Sequence, residues 1–189
     1  MSTNHTLHAD SIESRVTVYQ PTIWQSANFS EPWYRDAVKE AAGVDEHATR
    51  REIIFSICFL ESYIFEWVRA FGIEQVNTYF PPDLENKRNR DLKEKWKNVP
   101  AQLFKDGVIA SEPKLDLSEL GTLIRYRNGL VHARASRPST AGLHRNEQPV
   151  PAIGELRQIG HGWALGVAER LVKKLHSDIG TSHPGYMCR

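Results

Sequence analysis

The chain has 189 residues, of which 40% are hydrophobic and 25% charged, and its formal net charge is +1. This length corresponds to roughly one domain of about 150 residues with additional terminal segments. The apolar and aromatic content excludes a wholly disordered chain, and the near-zero charge excludes a protein that holds nucleic acid by bulk charge alone. No stretch approaches the ~18 consecutive apolar residues of a membrane span, and no signal-peptide pattern is visible, so we expect a cytoplasmic protein.

The first third of the chain predicts an arm followed by two helices. Residues 1–29 are polar and are predicted to form an N-terminal arm, in which only the alternating residues 15–19 favour a short strand. Ser30 is a good N-cap for a helix over 32–42, because an acid and a proline follow it. A second, longer helix is predicted over 45–70, with Asp45 as its cap.

The remaining segments also favour helices, separated by breaks rich in proline, serine or glycine. Residues 83–96 form a charged amphipathic segment, and a short helix is predicted around 100–105. Further helices are predicted over 118–133 and over 151–179, the second running through the glycines at 160 and 162. Residues 181–189 resemble a frayed, flexible tail. The predicted fold is therefore all-α, a bundle of four to five main helices over residues 30–180.

One side chain breaks the amphipathic pattern of the helix predicted over 118–133. At ~100° per residue, Arg127 falls near the middle of the apolar half of this helix. Arg125, Asn128 and His132 fall at the edge of that half, because they are four and seven residues apart. A guanidinium in an apolar stripe is costly unless it is paired or faces a solvated cleft.

The helix predicted over 45–70 carries the complementary anomaly. Glu61 lies within its apolar stripe, whereas Glu66 lies on the opposite face, where we expect solvent. A carboxylate and a guanidinium in such positions predict a Glu61–Arg127 pair. That pair would either be a buried ion pair that fixes helix register or be part of a polar cleft lined by Arg127. The sequence leaves both interpretations open.

The string Arg127-Asn128-Gly129-Leu130-Val131-His132 resembles the Arg-x4-6-His signature of the HEPN superfamily. The segment 59–65, with its inward acidic residue Glu61, is similar to an earlier helix of that family. The resemblance covers roughly residues 45–180. It implies a HEPN-like helical bundle and a metal-independent endoribonuclease, commonly a toxin or antiviral effector, that acts as a homodimer. An antitoxin such as a nucleotidyltransferase-like protein would then be a partner.

The resemblance assigns site roles to four residues. His132 would be the general acid or base, because histidine titrates near neutrality, and Arg127 would clamp the scissile phosphate. Asn128 would bind a phosphate oxygen or orient His132, and Glu61 would support the site. Attack by the 2′-OH of RNA would leave a 2′,3′-cyclic phosphate, with no metal or cofactor. Three more arginines are predicted to bind substrate, or else to belong to an ordinary solvated surface: Arg125, Arg134 and Arg137. Arg125 also fits the looser motif spacing.

Two other functions stay open at this stage. The chain could be a catalytically inactive HEPN-like module that dimerises or binds a partner, or a nucleotide-binding helical bundle. The glycines from 160 to 166 lack the spacing and the preceding strand of a nucleotide loop. We therefore predict that this segment is part of the last helix, with His161 partly exposed on it.

Overall fold

The computed structural model describes residues 29–45, 47–73, 78–80, 92–131 and 159–187. Five α-helices pack together in these residues, and none of these residues forms a strand. In chain order they are α1 (Ser30–Ala41), α2 (Ala48–Arg69), α3 (Leu92–Lys105), α4 (Ser118–Val131) and α5 (Trp163–Ile179), followed by a short 3-10 turn (Gly185–Met187). The all-α prediction is confirmed. The strand predicted at 15–19 lies outside the described residues, and none of the described helices is long and apolar enough to cross a membrane.

Helix α2 lies at the centre of the bundle and contacts each of the four other helices. Five residues of its predicted apolar stripe are almost completely inaccessible: Ile53, Ile57, Leu60, Ile64 and Val68. Phe59, Tyr63 and Trp67 on other sides of the helix are at most 2% exposed as well. Because full burial of such a side chain contributes roughly 1.5–3 kcal/mol, α2 supplies a large share of the core energy.

Helix α3 is continuous through Pro100, and this corrects the prediction of a separate short helix over 100–105. Proline removes one backbone hydrogen bond and costs about 3 kcal/mol inside a helix. The apolar face of α3 offsets this cost, since four of its side chains are at most 2% exposed: Leu92, Trp96, Val99 and Leu103. Trp96 also stacks on Tyr63 of α2, with 6.1 Å between the ring centroids. Residues 83–91 of the predicted amphipathic segment lie outside the described part of the chain.

Helix α5 begins at Trp163, so the prediction of helix through residues 159–162 is wrong. Gly162 has φ +83°, a left-handed conformation that glycine adopts without steric cost. The backbone N–H groups of Gly162 and Leu165 donate to the Glu52 carboxylate at 2.9 and 3.0 Å. A side chain of α2 thus fixes where α5 starts, and the predicted helical residue His161 is exposed in the preceding turn.

The end of the C-terminal segment contacts the bundle through Tyr186 and Met187. Met187 is only 3% exposed and belongs to the core, and the Tyr186 hydroxyl lies 2.8 Å from Ser30 Oγ of α1. Apolar burial and this hydrogen bond offset the entropy of ordering the segment. Of the predicted flexible tail, residues 181–187 are described and make these contacts, while 188–189 lie outside the described residues.

Candidate functional site at the contact of α2 and α4

The predicted Glu61–Arg127 pair forms between α2 and α4. Arg127 Nη2 donates to Glu61 Oε1 at 3.3 Å, and Arg127 Nη1 donates to Oδ1 of the neighbouring Asn128 at 3.1 Å. Both charged groups therefore have a partner, and the Arg127 guanidinium is oriented from two sides. The sequence prediction that these two helices meet through this pair is confirmed.

The sequence left open whether this pair is a buried ion pair or lines a polar cleft. The side chains of Arg127 and Glu61 are 29% and 37% exposed, so the pair is accessible to water and is not sealed in the core. Helix α4 buries Leu120 and Leu123 near its start, but Asn128 and Val131 near its end are exposed. Val131 falls on the apolar half of the helical wheel and is 55% exposed, so this half is not covered along its whole length, although Gly129 is buried.

Arg125 and Arg127 have different surroundings, although both fit the motif spacing. Arg127 reaches α2, whereas the exposed Arg125 lies with its guanidinium 5.2 Å from the ring centroid of Tyr126. Tyr126 in turn meets Trp163 of α5 edge to face at 5.8 Å. Among the two arginines, Arg127 is thus the one that contacts the predicted acidic residue Glu61.

Cys58 lies one turn before Glu61 on α2, and the pKa of its thiol depends on both members of the pair. Burial raises the pKa of the Cys58 thiol, the Glu61 carboxylate raises it further, and the Arg127 guanidinium acts in the opposite direction. A thiol with a raised pKa is protonated at neutral pH and is a poor nucleophile. Cys58 is therefore a half-buried neighbour of the site and not a second reactive group.

Three residues of the predicted site, His132, Arg134 and Arg137, lie outside the described residues. Their roles stay predictions from the sequence. The described members of the site are Arg127, Asn128, Glu61 and Arg125, and the structure brings the first three together. In the described part of the chain, no three His, Cys, Asp or Glu side chains group as metal ligands.

Sequence reasoning missed two buried carboxylates on α2. Glu66, expected at the solvent face, is 8% exposed and accepts hydrogen bonds from Ser30 N at 2.8 Å and Ser30 Oγ at 2.5 Å. Ser30 is accordingly the first residue of α1 and not its N-cap. Glu52 is fully buried and holds the start of α5. The available signal was that α2 has apolar residues on several sides, which is typical of a helix surrounded by others.

A buried histidine was also missed. His176 of α5 is 4% exposed, and its Nδ1 lies 2.7 Å from Thr181 Oγ1 while its Nε2 contacts the Tyr63 hydroxyl. Burial, with a smaller contribution from His183, lowers the pKa of His176 to about 4. The imidazole is therefore neutral at physiological pH and connects α2, α5 and the C-terminal segment.

No protein-family model matches the chain, and comparisons with curated proteins and with solved structures also give no match. The HEPN resemblance therefore depends on the Arg127–His132 motif and on the acidic residue of the preceding long helix.

Proposed function

We propose that the protein is a metal-independent endoribonuclease of the HEPN type that acts on cytoplasmic RNA as a toxin or defence effector. The observation that carries this proposal is the solvent-accessible Arg127–Glu61 pair with Asn128 beside it. A pair that only fixed helix register would be expected in the sealed interior. The Arg127 side chain is instead 29% exposed, so a ligand can reach it.

The geometry of Arg127 suits a phosphate clamp. A half-exposed ion pair contributes only ~0–1 kcal/mol, so a phosphate can replace Glu61 as acceptor at little cost. The planar guanidinium has five N–H donors in a fixed fork and binds phosphate oxygens in pairs. Before the phosphate displaces Glu61, Glu61 and Asn128 together hold this fork near the end of α4, which reduces the entropy lost when substrate binds.

His132, the residue directly after Val131, supplies the proton transfer in this proposal. It removes the proton from the RNA 2′-OH or protonates the leaving 5′-oxygen, for roughly 10²–10⁴-fold of the rate. A homodimer places two copies of His132 at one cleft, so that one acts as base and the other as acid. The product is a 2′,3′-cyclic phosphate, and DNA is not a substrate because it lacks the 2′-OH. A toxin of this kind would be held inactive by an antitoxin such as a nucleotidyltransferase-like protein.

The test is incubation of the purified full chain with single-stranded RNA in the presence of EDTA. We expect cleavage by the unmodified chain and a loss of at least about 100-fold in Arg127→Ala and in His132→Ala. Arg35→Ala is the matched control, because Arg35 is an exposed arginine paired with a glutamate of its own helix. An RNA with 2′-deoxy nucleotides should resist cleavage, and mass spectrometry of the products should show the cyclic phosphate.

Retained cleavage by both site variants would refute the assigned residues. Absence of any cleavage by the unmodified chain would favour the catalytically inactive dimerisation or binding module, and sedimentation equilibrium would then measure whether the chain is a dimer. Equal cleavage of RNA and DNA would contradict the 2′-OH mechanism.

A further inference from the structure

Helix α5, the start of α4 and the segment that precedes α4 line an open groove of about 540 Å³. Its apolar floor consists of Leu120, Val167 and Leu171, each at most 6% exposed as a residue. This volume falls within the ~300–1,000 Å³ that is typical of small-molecule sites. None of the groove residues takes part in the reaction proposed above.

The rim of the groove is charged, and cations outnumber carboxylates in it. Four cations line it, Lys114, Arg170, Lys173 and Lys174, against the two carboxylates Asp116 and Glu119. Asp116 Oδ1 already accepts from the backbone N–H of Ser118 at 2.9 Å. Glu119 receives the guanidinium of Arg170 at 2.9–3.2 Å. The two carboxylates of the rim are therefore bonded to Ser118 and Arg170, and neither is bonded to a lysine of the rim.

Two of these lysines are paired with carboxylates that do not line the groove. Lys173 Nζ lies 3.3 Å from Glu169 Oε2, and Lys174 Nζ contacts Asp178 Oδ1, each one helical turn away. The lysine side chains are 46% and 52% exposed, so these pairs are weak. Their flexible stems allow the ammonium groups to turn toward an anion in the groove without disturbing the helix.

We propose that this groove binds a small amphipathic anion. The apolar body of the ligand lies on Leu120, Val167 and Leu171, and its carboxylate, sulfonate or phosphate group lies on the ammonium groups of Lys173 and Lys174. The size of the groove selects a small molecule over a helix or a second copy of the chain. The lysine ammonium groups, which can leave their weak pairs with Glu169 and Asp178 to meet the ligand, select an anionic head group.

The experiment uses the full chain and two defined probes. Anilinonaphthalene sulfonate, an apolar aromatic with one anionic group, reports binding by its fluorescence, and decanoate is titrated as a competitor. We expect saturable binding of one probe per chain, displacement by decanoate, and displacement by decanol that is at least about tenfold weaker. Higher salt should weaken the binding of decanoate and leave that of decanol unchanged.

Two variants localise the site. Ser177 is an exposed residue that lines the groove, so Ser177→Trp fills the groove without removing a core side chain and should abolish binding. Ser182→Trp is its control, at an exposed position outside the groove. The double variant Lys173→Gln/Lys174→Gln should weaken decanoate binding about tenfold while sparing decanol. Lys39→Gln/Lys105→Gln removes two exposed charges elsewhere and should change neither.

Binding that is unaffected by Ser177→Trp and by the lysine double variant would overturn the proposal. So would equal affinity for decanol and decanoate, or the absence of saturable binding up to about 1 mM probe. Circular dichroism and the melting temperature of each variant check that probe fluorescence does not come from unfolded chain, to which this dye also binds.

Discussion

The three glutamates of α2 differ in their surroundings: two are buried and bonded to backbone N–H groups, and one is partly exposed and paired with an arginine. Glu52 and Glu66 are buried and accept backbone N–H groups at the starts of α5 and α1. Glu61 is 37% exposed and faces the guanidinium of Arg127. The buried carboxylates hold the helices in place and are inaccessible to a ligand. The accessible pair contributes little to folding and is therefore free to serve another purpose.

The largest expected effect on stability comes from removing Glu52. Glu52→Ala leaves the N–H groups of Gly162 and Leu165 without their acceptor and should lower the free energy of unfolding by about 4 kcal/mol. Glu52→Gln keeps one acceptor oxygen and should cost about half as much. Urea denaturation followed by circular dichroism measures both. A loss below about 1 kcal/mol in Glu52→Ala would contradict the role of this residue as a cap.

The pH dependence of stability tests the buried His176. Its pKa is about 4 in the folded chain against 6.5 as its ordinary value, so between these values the unfolded chain binds a proton that the folded chain excludes. Stability is therefore complete above pH 6.5 and falls as the pH is lowered, by up to about 1.4 kcal/mol per unit and about 3 kcal/mol in total at pH 4.

The matched variant for this measurement is His176→Gln, whose side chain keeps hydrogen-bonding groups for Tyr63 and Thr181 but does not titrate. The free energy of unfolding of the unmodified chain minus that of His176→Gln, plotted against pH, isolates the contribution of His176 from that of the carboxylates. A difference that stays constant between pH 7 and pH 4 would show that His176 titrates normally in the folded chain.

The smallest expected effect is at the accessible pair. In a double-mutant cycle of Glu61→Gln and Arg127→Gln, the coupling in the free energy of unfolding should be at most about 1 kcal/mol, because the 3.3 Å pair is partly solvated. When the same variants are assayed for RNA cleavage, Arg127→Gln should lose far more of its cleavage rate than of its stability. A coupling of about 3 kcal/mol would mean that the pair fixes helix register, and would remove the main support for the proposed site.

The sequence predicted the pair correctly because both residues interrupt clear apolar stripes. An ionised side chain flanked by core residues needs a counter-charge, and Glu61 and Arg127 were the two that lacked one. The same wheel failed for Glu66, since it assumes that a helix has a single buried side. Helix α1 packs against the polar face of α2, so this face is buried as well, and Glu66 accepts hydrogen bonds from Ser30 there.

Local patterns also misplaced several element boundaries. Pro100 suggested a break, but the buried apolar face of α3 keeps the helix continuous. Gly162 has no cap in its own segment, and its position is defined by Glu52, which is 110 residues earlier in the chain. The segment 181–187 has few apolar residues, yet contacts with α1 and with the core hold it. In each case the deciding partner is distant in sequence.

The periodicity of the chain by itself determined that the protein is all-α, which residues form the main stripe of α2, and that Glu61 and Arg127 meet. These follow from the 3.6-residue repeat and from the cost of an unpaired charge, both of which are local properties. Only the tertiary structure decided that this pair is open to solvent, that Glu52 and Glu66 are buried, and that α5 starts at Trp163. Exposure and capping depend on which surfaces of the other helices come to cover a residue, and this packing is a property of the whole bundle.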